Sequence, residues 1–319
     1  MGDPGDGGPP SLNAGDRIAV VAPSGPADPA LLERGCAVLR GLGLEVVVGK
    51  HALDRSPSGL TYLAGSDADR AADLQSAWCD PAIAAVFCAR GGYGATRVLD
   101  HLDWAAMSRA APKLLHGSSD ITALHAAFGR RLSVPTSFGP MVASLVAEAD
   151  PEAVAHLREG VFGTGAPVRG SHAPRGGRAR GVLTGGNLSL LTAMLGTPYA
   201  PEPAAGRIAF LEDVDEAPYR VDRMLTQLLQ AGWFEGVAGI VLGTWIGCGD
   251  LAAVFADRLT PIGAPILAGV PVGHGPRQLT IRLGAGAVLD ADALVLSPST
   301  GDGPERHTPP AGPVSRETL

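Results

Sequence analysis

The chain is poor in aromatic residues, 5% of 319, and has only four cysteines, Cys36, Cys79, Cys88 and Cys248, with no C-x-x-C pair among them. Cysteines scattered in this way signal neither a disulfide framework nor a zinc site. No apolar run reaches transmembrane length. The opening MGDPGDGGPPSLNAGD lacks the basic-then-apolar order of a secretory leader. Met1-Gly2 begins like a myristoylation signal, but Asp6 occupies the Ser/Thr position. Positive charge is also short, with 25 Lys and Arg against 32 Asp and Glu and a formal net charge of -7. Nucleic acids and anionic membranes call for clustered Lys and Arg, so neither is an expected partner. G-x-x-x-x-G-K-[ST] and H-E-x-x-H are both missing, and the eight histidines are dispersed without ligand spacing. Neither a metal nor another cofactor is therefore expected, and the expected location is the cytoplasm.

What remains is a 45% hydrophobic, 18% charged composition, with enough apolar material for a large core and enough length for two domains. Short apolar runs alternate with amphipathic ones. RIAVVAPSGP, LEVVVG, IAAVFCA and KLLHG read as strands, and ADPALLERGCAVLRGLG, SDADRAADLQSAWCD and GATRVLDHLDWAAM as the helices between them. That order predicts a doubly wound, mainly parallel α/β layer. The pattern breaks at GTGAPVRGSHAPRGGRAR, residues 163–180, which reads as a linker. A glycine turn and helix follow in GVLTGGNLSLLTAMLGTP, then the strand GRIAFLEDVD, the helix APYRVDRMLTQLLQAGWF and further β-structure. The expected division is a disordered tail over 1–14, a first domain over 15–162, the linker, a second domain over 181–298 and a disordered tail over 299–319.

Four stretches could carry chemistry. In KLLHGSSDITALH, residues 113–125, a strand runs through Gly117-Ser118-Ser119-Asp120 into a helix. Ligands gather at the carboxyl ends of parallel strands, and a serine on such a turn can be displayed beside the next residue's N–H, as in the G-x-S-x-G elbow. Ser118 or Ser119 serving only as a helix cap is the plainer alternative. CARGGYGATR, residues 88–97, lacks the third glycine of a dinucleotide loop. Its Gly91 and Gly92 amides suit an oxyanion donor, or simply a crossover turn. FLEDVDEAPYRVDR places Glu212, Asp213, Asp215 and Glu216 at a strand end, where one acid can orient a histidine. The cluster could alternatively bind a divalent cation, or simply favour the start of the next helix, which is the plainest reading. VPVGHGPRQLT sets His274 between two glycines, while His116 and His125 flank the serine turn as rival bases.

Taken in order, RIAVVAPSGP, YLAGSDADRAADL, ARGGYGATRVL, GSSDITALHAAF, GGNLSLLTAMLGTP, FLEDVDEAPYRVDRMLTQL and GVPVGHG resemble the LD-carboxypeptidases, over residues 16 to 297. These serine peptidases release the terminal D-alanine of muropeptides, and the family includes the microcin C immunity-type hydrolases. The resemblance implies a Rossmann-like N-terminal domain, a smaller C-terminal α/β domain, an active site at their junction and a homodimer. It implies a Ser-Glu-His triad of Ser119, Glu212 and His274, with the backbone amides of Asp120 and Gly92 as the oxyanion hole. Ser118 departs from the family pattern, which often has an aromatic residue there. The implied substrate is a muropeptide tetrapeptide, cut between an L-centre diamino acid and terminal D-alanine in cell-wall recycling. A peptidyl-nucleotide antibiotic is the alternative substrate, and a non-catalytic peptide- or sugar-binding protein is the second alternative.

Overall fold

The computed structural model describes residues 11–145 and 150–299. Its N-terminal half runs β1 (Arg17–Val21), α1 (Pro29–Gly41), β2 (Glu45–Val48), α2 (Asp67–Cys79), β3 (Ala85–Cys88), α3 (Ala95–Val98), α4 (Trp104–Arg109), β4 (Leu114–Gly117), α5 (Thr122–Leu132), β5 (Thr136–Phe138) and α6 (Pro151–Phe162). The second half begins with β6 (Val168–Arg169), β7 (His172–Arg175), β8 (Arg178–Asn187), α7 (Leu188–Ala193), β9 (Ile208–Val214) and α8 (Pro218–Gln230). It ends with β10 (Gly239–Ile246), α9 (Ala252–Arg258), β11 (Ile266–Ala268), β12 (Ile281–Leu283), β13 (Gly286–Asp290) and β14 (Val295–Pro298). The architecture is the expected α/β one, with two sheets.

The first sheet has the order β12-β5-β4-β3-β1-β2, and β2 through β5 pair in parallel. Helices cover both of its faces, which is why β3 is buried at all four positions. Val86 and Cys88 point into one apolar cluster with Trp78 and Phe128, whereas Ala85 and Phe87 point into the other with Leu39 and Leu157. Local signals set the helices that do the covering. Ser66 caps α2 by accepting from the Asp69 amide at 3.1 Å, and Asp67 and Asp69 complement the helix start.

The second sheet has the order β6-β14-β13-β8-β9-β10-β11-β7, with a parallel core of β8, β9, β10 and β11. On β9, Ile208 and Phe210 face a cluster shared with Phe138, while Ala209 and Leu211 face the one beneath α8. α8 buries Val221, Leu225 and Leu228, spaced at i, i+4 and i+7. Contact between Phe138 of the first sheet and Phe210 of the second, edge to face at 5.2 Å, fixes the two sheets against each other.

Four expectations need correction. Residues 163–180 are more than a linker: they supply the edge strands β6 and β7, whose pairing uses backbone groups and so asks for no apolar alternation. β12 leaves the C-terminal half and pairs antiparallel with β5, closing that edge of the N-terminal sheet. In GVLTGGN the glycines do not make a turn, because β8 runs on through Gly185 and Gly186 to Asn187. Residues 11–14 are held: Leu12 is buried and its amide donates to the Val161 carbonyl at 2.8 Å. At the other end Ser299 donates to the Gly286 carbonyl. The remainder of both expected tails, 1–10 and 300–319, lies outside the described residues.

Candidate active site

Everything needed to display a serine is present where β4 ends. Ser119 has φ of 58°, a left-handed conformation that non-glycine residues adopt at a cost of about 1–3 kcal/mol and keep where the surroundings over-determine it. A 3-10 turn over Ser119–Ile121 leads from it into α5. Ser119 is partly exposed, whereas Ser118 is buried and its amide donates to Met141 Sδ at 3.1 Å. The loop after β3 presses on the serine from above. A Cβ on Gly91 would lie 2.9 Å from Ser119 Cβ and 3.1 Å from its Oγ, so only glycine permits this approach. Gly92 lies beside Gly25: a Cβ there would sit 3.5 Å from the Gly25 Cα.

Across the junction, Ser119 Oγ meets His274 Nε2 at 3.0 Å, and His274 Nδ1 meets Glu212 Oε2 at 2.7 Å. The carboxylate accepts from Nδ1–H, which leaves Nε2 free to accept the serine proton. Residues 119, 212 and 274 thus form one chain of hydrogen bonds. The loop after β11 makes this possible through Gly273, whose φ is +113°. A Cβ there would fall 2.5 Å from Glu212 Oε2 and 2.7 Å from Thr244 Oγ1.

Glu212 lies within β9, on the Phe210 face, and is completely buried. Its Oε2 also accepts from the His274 backbone amide at 3.1 Å, and its Oε1 accepts from Asn187 Nδ2 at 3.2 Å. Burial alone would lower the His274 pKa. The hydrogen bond and charge of Glu212, with the charges of Asp213 and Asp215, outweigh it and leave the imidazole above its usual 6.5.

The other acids have different partners. Asp213 faces away from Glu212, accepting from Ser189 Oγ at 2.7 Å, Asn187 Nδ2 at 2.9 Å and the Val214 amide at 2.9 Å. Burial raises its pKa, and those donors oppose the shift. Glu216 lies 3.6 Å from Arg220 on the first turn of α8. Among the described residues, no group of three or more His, Cys, Asp or Glu side chains is arranged to hold a metal ion.

The two rival bases are structural. His116 is buried, with Nδ1 against Ser137 Oγ and Nε2 against the Pro140 carbonyl, both at 2.9 Å. His125 Nε2 donates to the Gly117 carbonyl at 2.9 Å. Burial drives both pKa values down to about 4.

Asn187 went unassigned by sequence reasoning. It is directly opposite Glu212 in the β8–β9 register, bridges Glu212 and Asp213, and caps α7 through the Leu190 amide at 3.2 Å. The only sequence signal for it is an N-cap asparagine before LSLL.

Comparison with known proteins gives a consistent picture. Residues 18–139 match the LD-carboxypeptidase N-terminal domain and residues 180–289 the LD-carboxypeptidase C-terminal domain. A Streptomyces coelicolor protein provisionally named a carboxypeptidase is 50% identical, covering 91% of this chain and 95% of its own. The murein tetrapeptide carboxypeptidase of Pseudomonas aeruginosa is 33% identical, covering 87% and 94%. Among solved structures, muramoyltetrapeptide carboxypeptidase from Oxalobacter formigenes superposes with a TM-score of 0.78 at 29% identity, over 88% of this chain and 97% of its own. MccF in complex with glutamyl sulfamoyl guanosine superposes with a TM-score of 0.81 over 93% and 99%. At 22% identity that is a likeness of fold.

Proposed function

This chain belongs to the LD-carboxypeptidase family, and on that premise we propose that it is a serine carboxypeptidase of murein tetrapeptides, using Ser119, His274 and Glu212 to release the terminal D-alanine. The observation that carries the reading is the continuous path from Ser119 Oγ through the His274 ring to a buried carboxylate, at 3.0 and 2.7 Å. In this reading Ser119 attacks the carbonyl carbon of the bond between the L-centre diamino acid and D-alanine. His274 Nε2 takes the hydroxyl proton as the bond forms. The imidazolium so created is held by Glu212, whose charge is undiluted by solvent. The carbonyl oxygen becomes an oxyanion, which we assign to the backbone amides of Asp120 and Gly92. Collapse expels D-alanine, its nitrogen receiving the proton from His274. Water then repeats the cycle on the acyl-enzyme and regenerates Ser119. Nothing in these steps requires a metal or an organic cofactor.

Peptidyl-nucleotide hydrolysis is the second reading, favoured only by the likeness of fold to MccF. Turnover of a murein tetrapeptide and of an aminoacyl sulfamoyl nucleotide, measured side by side, separates the two. The first reading expects kcat/KM to favour the tetrapeptide, and preference for the nucleotide would reverse the assignment. The family likeness also leads us to propose a homodimer located in the cytoplasm. Sedimentation of the purified protein and cell fractionation test those two points. Among the described residues no helix is long and apolar enough to cross a membrane.

A further inference from the structure

Three loops meet at the nucleophile: the one after β1, the one after β3 and the turn after β4. A single buried carboxylate oxygen joins all three. Asp120 Oδ2 accepts from Ser24 Oγ at 2.6 Å and from the Ala95 amide at 2.7 Å. Ser24 is fully buried and Asp120 nearly so. On the other side of the same loops, the buried Arg70 guanidinium donates to the carbonyls of Pro23 and Gly94. Arg70 is held in turn by Asp67, which also takes Arg97 at 2.7 Å. A backbone bond from Gly25 to the Gly91 carbonyl, 3.0 Å, completes the frame.

We propose that Ser24 and the Asp120 side chain are positioning residues that set the spacing of the oxyanion hole. This rests on the serine-peptidase reading above and deepens it. Asp120 carries one assigned oxyanion donor on its own amide. Gly92 carries the other, and its loop ends at Ala95, whose amide binds the same Oδ2. The carboxylate therefore fixes one donor through its own backbone and the other through a three-residue reach. Ser24 supplies the second hydrogen bond to that oxygen and ties it to the loop after β1. Displacing either contact moves the donors relative to Ser119, and donors of this kind act only where charge develops in the transition state. A merely structural cap on α3 would instead alter stability and leave turnover per folded molecule unchanged.

The test compares Ser24→Ala, Asp120→Ala and Asp120→Asn with the unaltered protein. Measured quantities are kcat and KM for D-alanine release, the melting temperature, and the rate at which a fluorophosphonate probe labels Ser119. Removing an oxyanion donor outright costs about 10²–10³ in kcat, so Ser24→Ala should lose about tenfold and Asp120→Ala about 10²-fold, each with KM within about twofold. Labelling should slow in parallel, because the phosphonyl oxygen occupies the same hole. Asp120→Asn keeps an acceptor for Ser24 and Ala95 and should recover at least about tenfold over Asp120→Ala. The gentler Ser24→Ala keeps the test available if Asp120→Ala does not fold. A Ser24→Ala protein with unchanged kcat, a loss carried by KM, or an Asp120→Asn as slow as Asp120→Ala would overturn the proposal. Labelling without D-alanine release in the unaltered protein would refute the substrate assignment alone, and the labelling rates would still judge the three variants.

Discussion

Replacing Glu212 by glutamine removes one charge from a site that water does not reach, and the surrounding donors dictate how the amide must sit. Oε2 faces two donors, His274 Nδ1 at 2.7 Å and the His274 amide at 3.1 Å, whereas Oε1 faces only Asn187 Nδ2 at 3.2 Å. The amide oxygen therefore takes the Oε2 place, and the NH₂ opposes Asn187. That orientation keeps the proton on Nδ1 and the productive tautomer. Where the amide inverts the tautomer, the loss in a triad is about 10⁴ in kcat. Here only the charge on the imidazolium's partner is lost, so kcat should fall about 10²–10³-fold, or about 3–4 kcal/mol of barrier, with little change in KM. The pH profile carries the sign. His274 works as a neutral base, and its pKa is held above 6.5 against burial largely by Glu212. Activity should then rise with pH through a midpoint above 6.5 in the unaltered protein. Glu212→Gln should move that midpoint downward, because burial remains and the chief opposing charge is gone. D-alanine release measured across about pH 5 to 9 reads both effects. A loss below about tenfold, or an acid limb that does not move, would refute this role for Glu212.

The other expectations concern neighbouring residues. Glu216→Gln should change kcat by less than about twofold, since its partner Arg220 is half exposed and Glu216 sits just before α8; a severe defect there would transfer the orienting role. Ser118→Ala should retain most activity, as its side chain is buried beside the displayed serine, and an inactive variant would shift the elbow by one residue. Gly273→Ala should lose both turnover and thermal stability, because its φ is +113° and the new methyl falls on Glu212 Oε2; normal melting and turnover would contradict the close approach. Dialysis against a strong chelator should leave the rate unchanged, and a loss restored by zinc would replace the serine mechanism with a metal one.

Much of this arrangement is legible in the sequence, and the reasons for the gaps are physical. The alternation of apolar strands with amphipathic helices reports the parallel layers directly, because a strand such as AVFC must be covered on both faces. Pairing partners are harder to read. The three residues of β12 have nothing in their side chains to say that they join β5 in the other sheet, and the edge strands in the Gly/Pro/Arg stretch bury a single apolar side chain, Val168, too little to make a readable pattern. The candidate nucleophile, acid and base emerge from the ordered resemblance. Their meeting depends on the junction between the sheets, which no local pattern encodes. Asn187 reads as a helix cap, and its second task appears only once β8 pairs with β9 and brings it opposite Glu212. The same holds for Ser24, an ordinary loop serine until Asp120, 96 positions away, is seen to accept its hydroxyl.

The most direct test is D-alanine release from a defined murein tetrapeptide by the unaltered protein and by Ser119→Ala, each confirmed as folded by its melting curve. If Ser119 is the nucleophile of a carboxypeptidase, the unaltered protein yields one D-alanine and one tripeptide per cleavage. The Ser119→Ala protein, folded normally, should fall by several orders of magnitude. Absence of D-alanine with the unaltered protein, or an undiminished rate in Ser119→Ala, would contradict the assignment.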